Sequence, residues 1–285
     1  MIYFCADDYG LNAAVSARIQ QCVQSGAINK VSVFPNFDPL DLHPIRQTRI
    51  SLHLNLVEGR CMADSGQIGL LAEENGQFRH TFTGLLAASL IHPKAFERQV
   101  YREIRAQVLS FRSVLPQGAP FCVDSHQHTH MIPAVFRALI RVLRDENIDI
   151  SYLRIPAEPL LPYLTTPSLY LTFRGANVVK QWLLKALWLI DKPMLKGVPI
   201  PTADFFGVLF SGKMDAGRVR KVLPKYIKRA DKAGRDIEVL FHPGYLEEAK
   251  AELRAGNIVF SHFYLSKNRK LEFDSVIKLS ERSVL

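Results

Sequence analysis

The 285-residue chain carries 36 Lys and Arg against 27 Asp and Glu, a formal charge of +9, with 48% hydrophobic and 22% charged residues. That composition supports a large core and excludes a disordered or low-complexity chain, while the length alone does not choose between one domain and two. The positive balance admits an acidic partner such as a phosphate, an anionic glycan or a membrane surface; no recognisable nucleic-acid motif accompanies it, so no nucleic acid is expected.

In chain order, Ile2–Ala6 reads as a buried strand that meets Asp7 and Asp8 at once, too short for a secretory leader. No stretch approaches the ~20 apolar residues of a membrane span, so the expectation is a soluble, cytoplasmic protein. Asn12 is placed to cap a helix that carries Val15, Ile19 and Val23 on one face, with Gly26 as its stop. Val31–Phe34 and Ile50–Leu54 read as the next strands. Residues 59–93, punctuated by Gly66, Gly69, Gly76 and Gly84, read as a long loop. Phe96, Val100, Ile104, Val108, Phe111 and Leu115 recur at helical spacing over 94–115. Phe121–Val123 is a further buried strand, followed by a helix through Val135, Leu139 and Leu143. Tyr152–Ile155 and Ile237–Phe241 are later strands. The four cysteines (Cys5, Cys22, Cys61, Cys122) lack paired spacing, and Cys5 and Cys122 suit reduced, core-filling thiols.

Strands alternating with helices predict an α/β fold with mostly parallel strands. In such folds the carboxyl ends of the strands share one face, where active sites gather. Asp7 and Asp8 follow the first strand, His53 ends the one from Ile50, and Asp124 and His126 follow Phe121–Val123. His242 follows Ile237–Phe241. The run Asp124-Ser-His-Gln-His-Thr-His130 places three histidines at alternate positions, which on an extended chain puts their rings on one side, ready for a metal or a substrate. Adjacent Asp7 and Asp8 repel each other, are costly to bury without a cation, and are expected to point different ways. Gly10 permits a tight turn after them. In His242-Pro-Gly-Tyr245 the residue before proline is held extended, which makes His242 the outward tip of its strand.

These residues carry a resemblance. Ala-Asp-Asp-Tyr-Gly (6–10), Ser-Leu-His-Leu-Asn-Leu (51–56), Val-Asp-Ser-His-Gln-His-Thr-His-Met-Ile-Pro (123–133) and Phe-His-Pro-Gly-Tyr (241–245) resemble, in family order, the YdjC-type carbohydrate deacetylases. The resemblance implies a distorted (β/α) barrel spanning residues 1–285 and removal of acetyl from N-acetylated sugars, free or glycolipid-linked. It also implies one divalent metal. Matched residue by residue, Asp8, His53 and His126 take the metal positions, Asp7 that of the base and His242 that of the acid. His128, His130, Asp124 and Tyr245 fall to substrate binding or to support of the ligands. Two histidines and one carboxylate suit zinc, while the family is commonly described with magnesium. The family also includes homodimers.

Residues 156–203 depart from the chitooligosaccharide-type members and look more like a hopanoid-associated branch. Their Val178–Leu189 stretch is an apolar helix studded with lysines. Two expectations follow, an insertion or a lid over the site, with peripheral membrane contact for the second. A metal-dependent phosphoesterase and a non-catalytic carbohydrate-binding protein are the rival readings, the first favoured by the positive charge.

Overall fold

A computed structural model describes residues 1–37, 40–198, 200–244 and 261–281. Its sheet has seven strands: β1 (Ile2–Tyr9), β2 (Lys30–Val33), β3 (Arg49–Leu54), β4 (Phe121–Ser125), β5 (Ile150–Leu153), β6 (Asp204–Phe206) and β7 (Ile237–Phe241). Every pairing is parallel, in the order β5-β4-β3-β2-β1-β7-β6, and the sheet curls into a half-barrel surrounded by helices. β1 lies in the interior of the sheet, between β2 and β7, and its first five residues are apolar on both faces, as a strand covered on both sides must be.

The helices are α1 (Ala13–Gln24), α2 (Phe82–Ile91), α3 (Pro93–Val114), α4 (Pro133–Asp145), α5 (Leu161–Leu164), α6 (Gly175–Asp191), α7 (Ala216–Ala233), α8 (Ser261–Tyr264) and α9 (Lys267–Ser280). The Asn12 side chain accepts the Val15 amide at 2.8 Å, and Val15, Ile19, Cys22 and Val23 are buried beneath that cap. α3 buries Phe96, Val100, Ile104, Val108 and Phe111. Each side chain of this kind stabilises the fold by about 1.5–3 kcal/mol on burial. Cys5, Cys22 and Cys122 are buried free thiols.

Two sequence expectations are corrected, and one strand is added to those the sequence marks. Residues 59–93 are not all loop, because α2 occupies Phe82–Ile91. Its sequence, Phe-Thr-Gly-Leu-Leu-Ala-Ala-Ser-Leu-Ile, is apolar all round and so lacks the period of an amphipathic helix. Asp204–Phe206 forms β6, a three-residue edge strand too short to show alternation. The second correction concerns the histidine run. β4 ends at Ser125, and His126–Met131 turns through a kinked 3₁₀ segment in which Gln127 and His128 have φ of 53° and 63°. The chain there is not extended, and the three rings diverge.

Candidate active site

Asp8 is a point of backbone strain. Its φ is 75°, unusual for a residue other than glycine, and the β1–β2 register shifts between Ala6 and Tyr9. In a regular strand the side chains of Asp7 and Asp8 would leave on opposite faces. The left-handed residue breaks that alternation, so the two carboxylates converge instead of pointing apart. Asp7 Oδ2 lies 3.9 Å and Asp8 Oδ1 3.4 Å from His53 Nε2. Gly10 follows with φ 92°, and a Cβ there would stand 3.4 Å from the Phe34 carbonyl.

β3 delivers His53 and β4 delivers Asp124, directly paired in register. His53 Nδ1 is 2.6 Å from Asp124 Oδ1; with the proton on Nδ1 this is a donated hydrogen bond that fixes the ring and turns Nε2 toward the aspartates. The Ser32 hydroxyl donates to Asp124 Oδ2 at 2.7 Å. His126, first residue after β4, places Nδ1 3.2 Å from Asp8 Oδ1, and its Nε2 lies 3.3 Å from the Tyr264 hydroxyl. Asp8, His53 and His126 therefore present one ligand atom each within 4.8 Å of one another, all buried. Asp7, His53 and Asp124 satisfy the same distance. In that second set, however, the His53–Asp124 atoms are spent on each other and Asp7 is held elsewhere.

Arg154, the first residue after β5, is what holds Asp7. Its Nη1 and Nη2 donate to Asp7 Oδ2 and Oδ1 at 2.7 and 2.8 Å. The same guanidinium donates to Glu238 of β7, with Nε at 2.9 Å, and Lys30 of β2 donates to Glu238 at 2.9 Å. Tyr152 also donates to Glu238. This layer under the site buries four carboxylates (Asp7, Asp8, Asp124, Glu238) against two cations (Lys30, Arg154), an excess of two negative charges. Burial opposes charge on Glu238, yet Arg154 and Lys30 bring it down to about 2.

Two observations show that a cation suits the vertex. Burial works to lower His53, but Asp7, Asp124 and Asp8 outweigh it and raise the ring to about 10, so the pocket favours positive charge at Nε2. Burial likewise opposes charge on Asp8, but the two histidines hold its carboxyl well below the usual range. Both of its oxygens are nevertheless buried without a hydrogen-bond partner among the described residues. An orphaned carboxylate between two imidazoles, within a cluster of four buried carboxylates and two Lys/Arg cations, fits a divalent ion.

His242, at the tip of β7, faces the same cavity. Its backbone amide donates to Glu272 Oε2 at 2.7 Å and its Nδ1 lies 3.5 Å from the same oxygen; Arg269 in turn donates to Glu272 at 3.0 Å. His128 lines the cavity with its edge against Phe205, and its Nδ1 has no partner among the described residues. Burial first, then Lys180 and Arg154, lower it well below the ordinary value, which leaves it neutral. His130 turns away from the cavity. Its Nε2 lies 2.8 Å from the Arg154 carbonyl and its Nδ1 2.5 Å from Ser125 Oγ, and burial brings it down to about 4. Tyr245 lies outside the described residues.

Sequence reading passed over Arg154, Lys30, Glu238, Tyr264 and Glu272. Arg154 had a signal, since it closes a strand on the same face as the other strand-end residues. Lys30 and Glu238 sit within strands and resemble ordinary surface charges. Lys180 was noted only as a helix lysine. It lines the cavity and forms no ion pair with a described residue, and burial pushes it down to about 8.

The cavity, about 410 Å³, runs from Asp7, His53 and His126 to a wall supplied by α6. Ala176, Val179, Lys180, Leu183 and Leu184 form that wall, and Phe82 and Phe263 add apolar surface. Trp182 is not among the lining residues, and Trp188 packs its ring against Phe136 of α4.

A parallel half-barrel with a buried Asp/His cluster at its strand ends defines an α/β protein built around a candidate metal centre. The chain belongs to the YdjC-like protein family, whose model matches residues 1–282. A zebrafish (Danio rerio) protein named carbohydrate deacetylase is 27% identical over 261 residues, covering 84% of this chain and 80% of that one. A Geobacillus stearothermophilus protein of the same name is 26% identical over 193 residues, or 66% and 71% of the two chains. A crystal structure from Enterococcus faecalis, described as a candidate cellobiose-phosphate cleavage protein, superposes with a TM-score of 0.62. It covers 98% of this chain and 94% of its own at 16% identity, a likeness of fold.

Proposed function

We propose that the protein is a metal-dependent carbohydrate deacetylase that hydrolyses the N-acetyl amide of an amino sugar. The observation that carries this reading is the orphaned Asp8 carboxylate between His53 and His126, beside an Asp7 held separately by Arg154. The names of the similar proteins supply the substrate class.

Asp8, His53 and His126 would hold one divalent ion, zinc by donor type or magnesium by family habit, and that ion would supply Lewis acidity toward the acetyl carbonyl and an attacking water. The protein's own groups do the proton work. Asp7 accepts the water's proton; the two Arg154 hydrogen bonds fix the carboxylate's orientation, so that it meets the water without rotating. Asp124 keeps the His53 ring in place by accepting from Nδ1. His242 returns a proton to the departing amine, positioned by Glu272, which accepts from its backbone amide and lies 3.5 Å from its Nδ1. His128 stays neutral and offers Nδ1 to a sugar hydroxyl. The sugar occupies the strand-end side of the cavity, and whatever is attached to it lies along α6.

The test is release of acetate against release of phosphate, from N-acetylated oligosaccharide, glycolipid and phosphoester substrates, with and without chelator. Chelator-sensitive acetate release supports the reading. Phosphate release alone, or sugar binding with no product, would replace it with the phosphoesterase or the non-catalytic binder.

A further inference from the structure

We propose that the outer face of α6 is a docking surface for an anionic lipid bilayer. The helix buries Gln181, Leu184, Leu187 and Asp191 toward the protein. An amphipathic helix would show polar residues on the opposite side. Here Val179, Trp182, Leu189 and Ile190 are 68%, 59%, 70% and 57% exposed, at spacings that put them on one outward stripe. The turn before the helix adds Leu171, fully exposed at 102%. A contiguous apolar stripe of this kind marks an interaction surface.

Charge selects the partner. Between residues 159 and 203 the single acidic residue is Asp191, which is buried, while Arg174, Lys185, Lys192 and Lys196 occur in the same stretch. None of those four cations is ion-paired with a described residue. Lys185 lies 6.0 Å over the Trp182 ring, an aromatic and ammonium pair suited to a headgroup layer. Two copies meeting through this face would oppose these cations without acids to pair them. An anionic bilayer supplies both the apolar depth for the stripe and the counter-charge for its flanks. Val179 is at once exposed and part of the cavity wall, so docking sets the cavity's opening beside the lipid surface.

The test uses the whole chain and vesicles of phosphatidylcholine, alone or mixed with phosphatidylglycerol, in co-sedimentation. It needs no turnover, so it stands or falls apart from the deacetylase reading. Wild type is expected to bind the phosphatidylglycerol vesicles at least about tenfold more tightly, with salt weakening the binding. Trp182→Glu/Leu189→Glu should lose about tenfold or more of that affinity, while its unfolding free energy from denaturant titration stays near the wild-type value. Lys192→Glu/Lys196→Glu, two exposed substitutions that leave the stripe intact, should remove the preference for anionic lipid. In the variant Trp188→Phe, the remaining Trp182 should shift its emission to the blue on binding. The proposal is overturned if folded wild type ignores both vesicles or binds them equally. It is also overturned if wild type is a dimer that Trp182→Ser converts to a monomer.

Discussion

The two walls of the cavity are built on opposite principles. On the strand-end wall the supporting polar groups are engaged, Asp7 by Arg154, His53 by Asp124, Glu238 by Lys30, Arg154 and Tyr152, and the Asp8 carboxylate alone among these acids stands without a hydrogen-bond partner among the described residues. On the α6 wall the surface is apolar, and its one charged group, Lys180, has no ion pair among the described residues. The first wall is pre-organised at the cost of burying charge, and it suits bond-breaking. The second makes few directional demands, and it suits recognition of an apolar or variable part of a ligand. The difference teaches that one cavity can take its chemistry from the sheet and its selectivity from a single helix.

The largest expected effect breaks the strand-end wall. Asp7→Asn should lower acetate release by about two to four orders of magnitude, the usual scale for a general base, with metal content retained. Asp8→Asn should instead empty the metal site, as read by elemental analysis of the purified variant. If Asp7→Asn loses metal and Asp8→Asn keeps it, the roles within the pair are reversed.

Arg154→Met asks whether the same wall is a structural unit. It strands Asp7 and Glu238 as buried, partly compensated charges, so the unfolding free energy from denaturant titration should drop by about 3–5 kcal/mol. A change of a few tenths would mean that Lys30 alone balances the layer.

The α6 side offers a pH test. Asp191 is buried without a hydrogen-bond partner among the described residues, and burial raises its carboxyl from 3.8 to about 7 against the pull of Arg137. A carboxyl whose folded value is raised holds its proton in the native state, so its contribution is full below the unfolded value. That contribution fades as pH rises through about 7. Asp191→Asn should therefore match wild type near pH 4 and exceed it at pH 8 by about 1–3 kcal/mol. Equal melting temperatures at both pH values would show that the carboxyl ionises without penalty.

The smallest effect separates the two tryptophans. Trp182 points outward, so Trp182→Ala should change stability by no more than about 0.5 kcal/mol. Trp188→Ala, which removes the contact with Phe136, should cost about 1–3 kcal/mol. Equal costs would put both rings in the core and remove the outward stripe.

Much of the fold was legible in local pattern. The alternation of apolar runs with helical spacing marked α1, α3, α4 and six of the seven strands. It failed for α2, which has no polar face, for the three-residue β6, and for α7 and α9, whose buried positions sit among dense charge. The strand-end placement of Asp7, Asp8, His53, His126 and His242 was likewise readable, because a parallel sheet sends the ends of its strands to one face. Only the tertiary structure decided what those residues do to one another. The left-handed turn at Asp8 brings neighbouring carboxylates together. The kink after β4 sends His126, His128 and His130 to three different surroundings. Arg154 meets Asp7 across 147 residues and Lys30 meets Asp124 across 94. Periodicity is a property of a dozen residues at a time, whereas the balance of buried charge is struck by curling five strands around one point.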